Sequence, residues 1–301
     1  MSRPLLFTAG ELMLETHREH PGHRSVGGAA ANAALAFTLT GGRAALACRL
    51  AEDDELPRLR AALERRCLWS PAVRLGGPFN AVYDIGGRCP YSRFGYTRDG
   101  SAGSRLTVDD LDDALLAAAD VVLVSGVFSS LNDGGRRVGL YLVEHARPGA
   151  LRAYDVNRRP ALVDDVRARE LYRQLAPRLD LVKADLAEAR LLWGPGGPDA
   201  LLARAAEQHH HVLITLGADG LLLHSHGATI RQTALPADEI DPTGAGDAAL
   251  GAALHGLARG DSPDAVARSA AACGARCVTR HGAWGYADNH SPHLLQQREE
   301  E

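Results

Sequence analysis

Lysine is almost absent from this chain of 301 residues: Lys183 is the only one, and Ala184 follows it. A Walker A loop needs Gly-Lys followed by Ser or Thr. That mode of phosphate binding is therefore excluded, and any nucleotide phosphates fall to backbone amides, arginine and metal. No G-x-G-x-x-G follows the first apolar segment, which disfavours a Rossmann dinucleotide site. Long apolar runs are missing as well, so no membrane partner is expected. The opening "MSRPLLFTAGELMLE" has a short apolar core before Glu11 and reads as a first strand rather than a signal peptide. Cysteine is sparse and irregular. Cys48, Cys67, Cys89, Cys273 and Cys277 are odd in number and scattered, which argues against a disulfide framework and for a reducing, cytoplasmic setting. Cys273 and Cys277 stand one helical turn apart with no second ligand pair nearby, and read as buried thiols. A positive excess is also lacking. The formal charge of −4 argues against general nucleic-acid binding.

What is present is an ordinary soluble composition, 46% apolar and 23% charged, long enough for one large α/β domain or two modest ones. Short apolar stretches alternate with helix-like segments. "LLFTAG" (5–10), "AALACRL" (44–50), "VVLVSG" (121–126), "LRAYDV" (151–156), "LDLVKA" (179–184) and "VLITLG" (212–217) read as buried strands. "GGAAANAALAFTLTGG" (27–42) reads as a helix entered through glycines and ended by Gly41-Gly42. The alternation predicts a mostly parallel sheet with helices on both faces. Residues 72–100 break it, with Gly, aromatics and Arg among short strand-like pieces. They predict a small β-sheet lid that closes over a polar, anionic ligand. His209–His211 precede an apolar strand and read as a helix-to-strand loop.

The densest chemistry is "EIDPTGAGDAALGAALHGLARG" (239–260). Amides at a helix start point outward and carry the positive end of its dipole. Glycine and alanine let an anion approach them closely. Gly244, Ala245 and Gly246 therefore read as an anion hole for a phosphoryl group. Asp247 sits in the first turn beside that anion, which it would repel at rest. Taking a proton from an attacking hydroxyl is one reason for it to be there. A capping aspartate after a Gly-rich turn is the other.

Further stretches resemble the ribokinase-like, or PfkB, carbohydrate kinases over nearly the whole length. "VGGAAANAALAFTLTGG" is similar to the family's N-terminal motif at Gly27, Gly28 and Asn32, and "DPTGAGDAALGAALHGL" to its C-terminal signature. The resemblance implies one kinase domain over 1–301 with a three-layer α/β/α fold and a β-lid formed by about 11–26 and 72–100. It implies Asp247 as the base that deprotonates a sugar hydroxyl, with residues 244–246 on the transferring phosphoryl. "TLGADG" (215–220) would cradle ATP through Thr215, Gly217 and Gly220, joined by Asn157. "KADLAE" resembles the family's Asn-x-x-Glu element, so Asp185 would face ATP and, with Glu188, position Mg²⁺ through water. The family leaves room for a monovalent cation.

Within the family the chain is most similar to 2-keto-3-deoxygluconate kinases, through "YTRDGSAG" (96–103), "DVNRRPAL" (155–162) and Tyr83 in "NAVYDI". Gly28, Asn32, Tyr83, Tyr96, Arg98 and Arg159 are then the sugar contacts. Arg98, with Arg159 second, would meet a carboxylate through paired N–H donors. "DVNRRPAL" also suits a fructokinase, and a silent sugar- or nucleotide-binding protein of the same fold is a third reading. An open lid edge predicts a homodimer or larger assembly through the lids.

Overall fold

Along the first strands, neighbouring residues serve opposite faces. Leu6, Leu46 and Leu123 belong to one hydrophobic core, and Phe7, Ala45, Val122 and Val124 to another. Strands buried on both faces are the mark of a sheet sandwiched between helices. The computed structural model describes residues 3–17, 20–86 and 93–287. Its strands are β1 (Leu5–Ala9), β2 (Met13–His17), β3 (His20–Gly27), β4 (Arg43–Leu50), β5 (Val73–Leu75), β6 (Val82–Gly86) and β7 (Arg93–Thr97). They continue as β8 (Val121–Ser125), β9 (Leu151–Asp155), β10 (Leu181–Asp185), β11 (His211–Thr215), β12 (Leu221–Ser225) and β13 (Ala228–Gln232).

The large sheet runs β13-β12-β11-β10-β9-β8-β1-β4-β5. It is parallel except for β12 and β13. Helices Ala29–Leu39, Ala245–Arg259 and Pro263–Cys277 contribute to the core on one face. Helices Asp133–His145, Asp165–Leu175, Leu186–Trp193 and Pro198–Ala206 contribute to the other. This is the expected ribokinase-like, three-layer α/β/α fold. The small sheet runs β3-β2-β6-β7, which supplies the lid.

One boundary differs from the sequence reading. Val73–Leu75 pairs in parallel with β4 and extends the central sheet, so the lid's second arm starts at Val82 rather than near 72. The far edge of the large sheet is an antiparallel hairpin, with His226 and Gly227 as its two turn residues at φ 49° and 76°. Two positive φ values give the turn that matches strand twist. The three histidines fall as expected: His209 and His210 follow a helix and His211 opens β11. Cys273 and Cys277 are buried thiols, as expected, and Cys89 lies outside the described residues. No helix among the described residues is long and apolar enough to cross a membrane.

Candidate active site

Strand β1 lies between β4 on one side and β8 on the other, so chain order reverses at the β1–β8 boundary. Open α/β sheets bind ligands outside the strands' carboxyl ends at such a point. A cleft with about 580 Å³ of empty space opens there. Its walls include Gly10 and Glu11 after β1, Val127 after β8, and Asn157 and Arg159 after β9. From outside the large sheet, Thr243, Gly244 and Asp247 close one side and Glu15, Tyr83 and Tyr96 of the lid close the other.

Asp247 is at the bottom, 5% exposed. Asn157 Nδ2 donates to its Oδ1 (2.8 Å) and Asn32 Nδ2 to its Oδ2 (2.8 Å). Trp284 Nε1 in turn donates to Asn32 Oδ1 (2.9 Å), which fixes the amide's orientation. Asn157 also donates to Asp155 Oδ2 (3.0 Å), and Lys183 Nζ meets Asp155 Oδ1 at 2.9 Å. The chain's sole lysine is thus buried near Asp247, where sequence reasoning had seen in it only a missing Walker motif. Asn32 and Asn157 both hold the Asp247 carboxylate, whereas the sequence had placed Asn32 on sugar and Asn157 on ATP. Asn157 adopts φ 37°, which turns its side chain back toward the base. Its Oδ1 is buried with no partner among the described residues, an acceptor available to a ligand hydroxyl.

Burial and the neighbouring Asp155 push the Asp247 carboxyl up to about 6, against the pull of Lys183 and Arg159. Asp247 remains mostly ionised at neutral pH.

The helix bearing Asp247 starts at Ala245, with Gly244 before it at φ 82°. A Cβ on Gly244 would lie 2.7 Å from the Ala283 Cβ, so both conformation and space demand glycine. Asp241 stitches the loop into place, its Oδ1 accepting from Thr243 N (2.9 Å) and its Oδ2 from Gly282 N (2.8 Å). The Ala245 amide donates to the Pro242 carbonyl (3.2 Å). Of the three amides anticipated for an anion hole, that of Ala245 is therefore engaged within its own loop. A Cβ on Gly246 would come within 3.3 Å of Lys183 Nζ, so the buried cation lies against the same loop.

On the lid side Tyr83 and Tyr96 stack, with centroids 5.1 Å apart. Arg98 is 7% exposed and ion-paired with Glu11. This corrects the sequence reading of Arg98 as the cation awaiting a ligand, because its charge is already matched within the fold. Burial and the facing Arg159 lower the Arg98 pKa to about 10. Burial opposes the charge of Arg159, but Asp247, Tyr96 and Tyr83 outweigh it and its pKa is raised. No ion pair holds Arg159 among the described residues. Glu15, which the sequence reading missed, faces the cleft at 2% exposure. Its Oε2 accepts from Ser25 Oγ (2.8 Å) and Ala283 N (3.1 Å), yet burial pushes its pKa up to about 7. The signal was available: Met13, Glu15 and His17 alternate on one face of β2.

Where the sequence reading placed ATP, Thr215 closes β11 and a 3₁₀ turn spans Gly217–Asp219. Gly217 has φ 62° and open space around a would-be Cβ, as an approachable backbone needs. Gly220 (φ 95°) packs on residues 232–234, so its role is structural: it lets β12 start beside the end of β13. Asp185 and Glu188 form a capping box. Glu188 N donates to Asp185 Oδ1 (2.8 Å) and Asp185 N to Glu188 Oε2 (2.8 Å). Arg158 N takes the other Glu188 oxygen (2.6 Å). Burial outweighs the nearby Lys183 and raises Glu188 to about 7. Oxygen donors suit Mg²⁺, and oxygens already holding amides fit contact through water.

The profile of the pfkB family carbohydrate kinases matches residues 4–288. The chain is 30% identical to a 2-dehydro-3-deoxygluconokinase of Thermoproteus tenax, over 82% of this chain and 79% of that one. It is 31% identical to fructokinase-1 of Zea mays, over 86% and 84%. Among solved structures, an E. coli protein described as a candidate ribokinase II, crystallised with ATP and Mg²⁺, superposes with TM-score 0.84 at 20% identity, covering 93% of this chain and 94% of that one. A cleft at the sheet's switch point, a Gly-bounded helix start and a buried aspartate behind it accord with the sequence match, and the chain belongs to the pfkB family of carbohydrate kinases.

Proposed function

We propose that this carbohydrate kinase transfers the γ-phosphoryl group of ATP to a primary hydroxyl of a 2-keto-3-deoxy sugar acid. The supporting observation is the pair of arginines at the lid. Arg159 lies close enough to Arg98 to disfavour its charge, and of the two only Arg98 is ion-paired to a carboxylate among the described residues. A buried anion needs a cation to offset lost hydration, and Arg159 offers one beside the tyrosine hydroxyls. Asp247, aimed by Asn32 and Asn157, takes the proton of the attacking hydroxyl, and the amides of Gly244 and Gly246 stabilise charge on the transferring group. Asp185 and Glu188 would hold Mg²⁺, which neutralises phosphate charge when bound.

Coupled ADP release, measured with sugar acids and with fructose, tests the reading. Arg159→Ala is expected to raise KM for the sugar acid about ten- to a hundredfold, from roughly 1.5–3 kcal/mol for a charge-assisted hydrogen bond. KM for ATP stays near its original value. A wild-type preference for fructose, or equal loss of both sugars in the variant, would replace the sugar-acid reading with a fructokinase.

Glu15 adds a pH signature. Its proton leaves near pH 7 and puts a negative charge in the cleft. The substrate carboxylate is ionised throughout, so KM for the sugar acid should rise between about pH 6 and about pH 8. KM for fructose should change much less. Parallel profiles for the two sugars would remove Glu15 from carboxylate discrimination.

A further inference from the structure

We infer a second cation site, separate from the nucleotide's magnesium: a divalent first-row transition ion of zinc-like chemistry, held by His17, Asp241 and His281. The ligand atoms of these three residues all lie within 4.8 Å of one another. His17 Nε2 is 4.0 Å from Asp241 Oδ2, and the two imidazoles meet edge-on with centroids 5.9 Å apart. A tetrahedral zinc with bonds of about 2.0–2.1 Å sets its donors roughly 3.3 Å apart, so side-chain adjustments of about an ångström would close the set.

The three donors come from separate segments. His17 ends lid strand β2, Asp241 lies in the loop before the phosphoryl-binding helix, and His281 follows helix Pro263–Cys277. His17 and Asp241 are each 7% exposed, where a bound ion meets little competition from water. Asp241 is already oriented by the Thr243 and Gly282 amides, the supporting shell that ligating carboxylates use. Two imidazoles and one carboxylate select zinc, cobalt, nickel or copper over magnesium, which prefers oxygen alone. The ion would tie β2, two residues from Glu15, to the loop that presents Gly244. Its occupancy would then couple lid position to the phosphoryl site. The inference does not depend on which sugar is phosphorylated.

Cobalt(II) added to the metal-stripped full chain, without nucleotide, tests it. One Co²⁺ per chain is expected, with the visible d–d absorption of a low-coordinate site, displaced by Zn²⁺. Zn²⁺ should also raise the melting temperature with concentration, as any ligand selective for the folded state does. His17→Gln and His281→Gln should each lose the cobalt band while keeping the circular dichroism of the metal-free parent. A band that survives in both variants would place the ion on other histidines and overturn the site. So would a wild-type chain with neither cobalt band nor zinc-dependent stabilisation at roughly tenfold metal excess. The second measurement needs no variant.

Discussion

Asp247→Asn lowers kcat by about two to four powers of ten, the scale of a lost general base, and leaves ATP affinity nearly unchanged. The structure adds a reason the substitution is not innocent. Asp247 accepts from two amide NH₂ groups, one from Asn157 and one from Asn32. An asparagine at 247 has only one acceptor to give, so one of those donors would face a second NH₂. Asn32 cannot flip to relieve it, because its Oδ1 is needed by Trp284 Nε1. Asn157 must yield instead and release Asp155. The wild-type kcat/KM should fall below about pH 6 as Asp247 takes up its proton, and the variant should lack that limb. Turnover near wild type in the variant, with the limb intact, would assign proton removal to another group.

Lys183→Met should cost about 3–5 kcal/mol of stability, since removing one partner leaves a buried charge without compensation. Lys183 is 5% exposed, and Asp155, 2% exposed, is the carboxylate it meets. Burial works against the lysine's charge, but Asp155, Glu188 and Asp247 outweigh it and its pKa is raised. The drop in melting temperature is expected on the order of 10 °C. A structural role alone would stop there. Lys183 also lowers the Asp247 pKa while Asp155 raises it. The acid limb of kcat/KM should therefore move upward in Lys183→Met, then return toward its original position when Asp155→Asn is added. The double variant should also recover much of the stability. A single variant with the wild-type melting temperature and limb would show that the pair neither stabilises the fold nor tunes the base.

Much of this architecture is written locally. Continuous apolar runs such as "VVLVSG" mark strands covered on both faces, and glycine on either side of Ala245 marks a helix that must begin against something. The misses have physical causes. The β12–β13 hairpin turns on His226-Gly227 rather than the Asn-Gly or Asp-Gly pair that announces such a turn. Val73–Leu75 is three residues long and carries no pattern that tells the central sheet from the lid. Arg98 looked available because its partner Glu11 stands 87 residues away, and no periodicity reports such a pairing. Glu15 was overlooked although it alternates with Met13 and His17 along β2, because the Ala283 amide that caps its carboxylate comes from the other end of the chain. Asp185 and Glu188 show the reverse problem, since one Asp-x-x-Glu spacing serves a helix cap and a metal equally well.

The hydrogen bonds around Asp247 also set the order in which the chain can become an enzyme. Asn32 and Asp247 are 215 positions apart, Trp284 and Asn32 are 252 apart, and Ala283 and Glu15 are 268 apart. Contacts this remote in sequence pay the loop-closure entropy of nearly the whole polypeptide before they return anything. Helices and neighbouring strands can form early from local contacts, while Asp247 has no fixed direction until the two ends of the chain have met. During refolding, helical circular dichroism should therefore recover ahead of phosphoryl transfer, and equal rates for the two signals would mean that the ends meet before the middle is built.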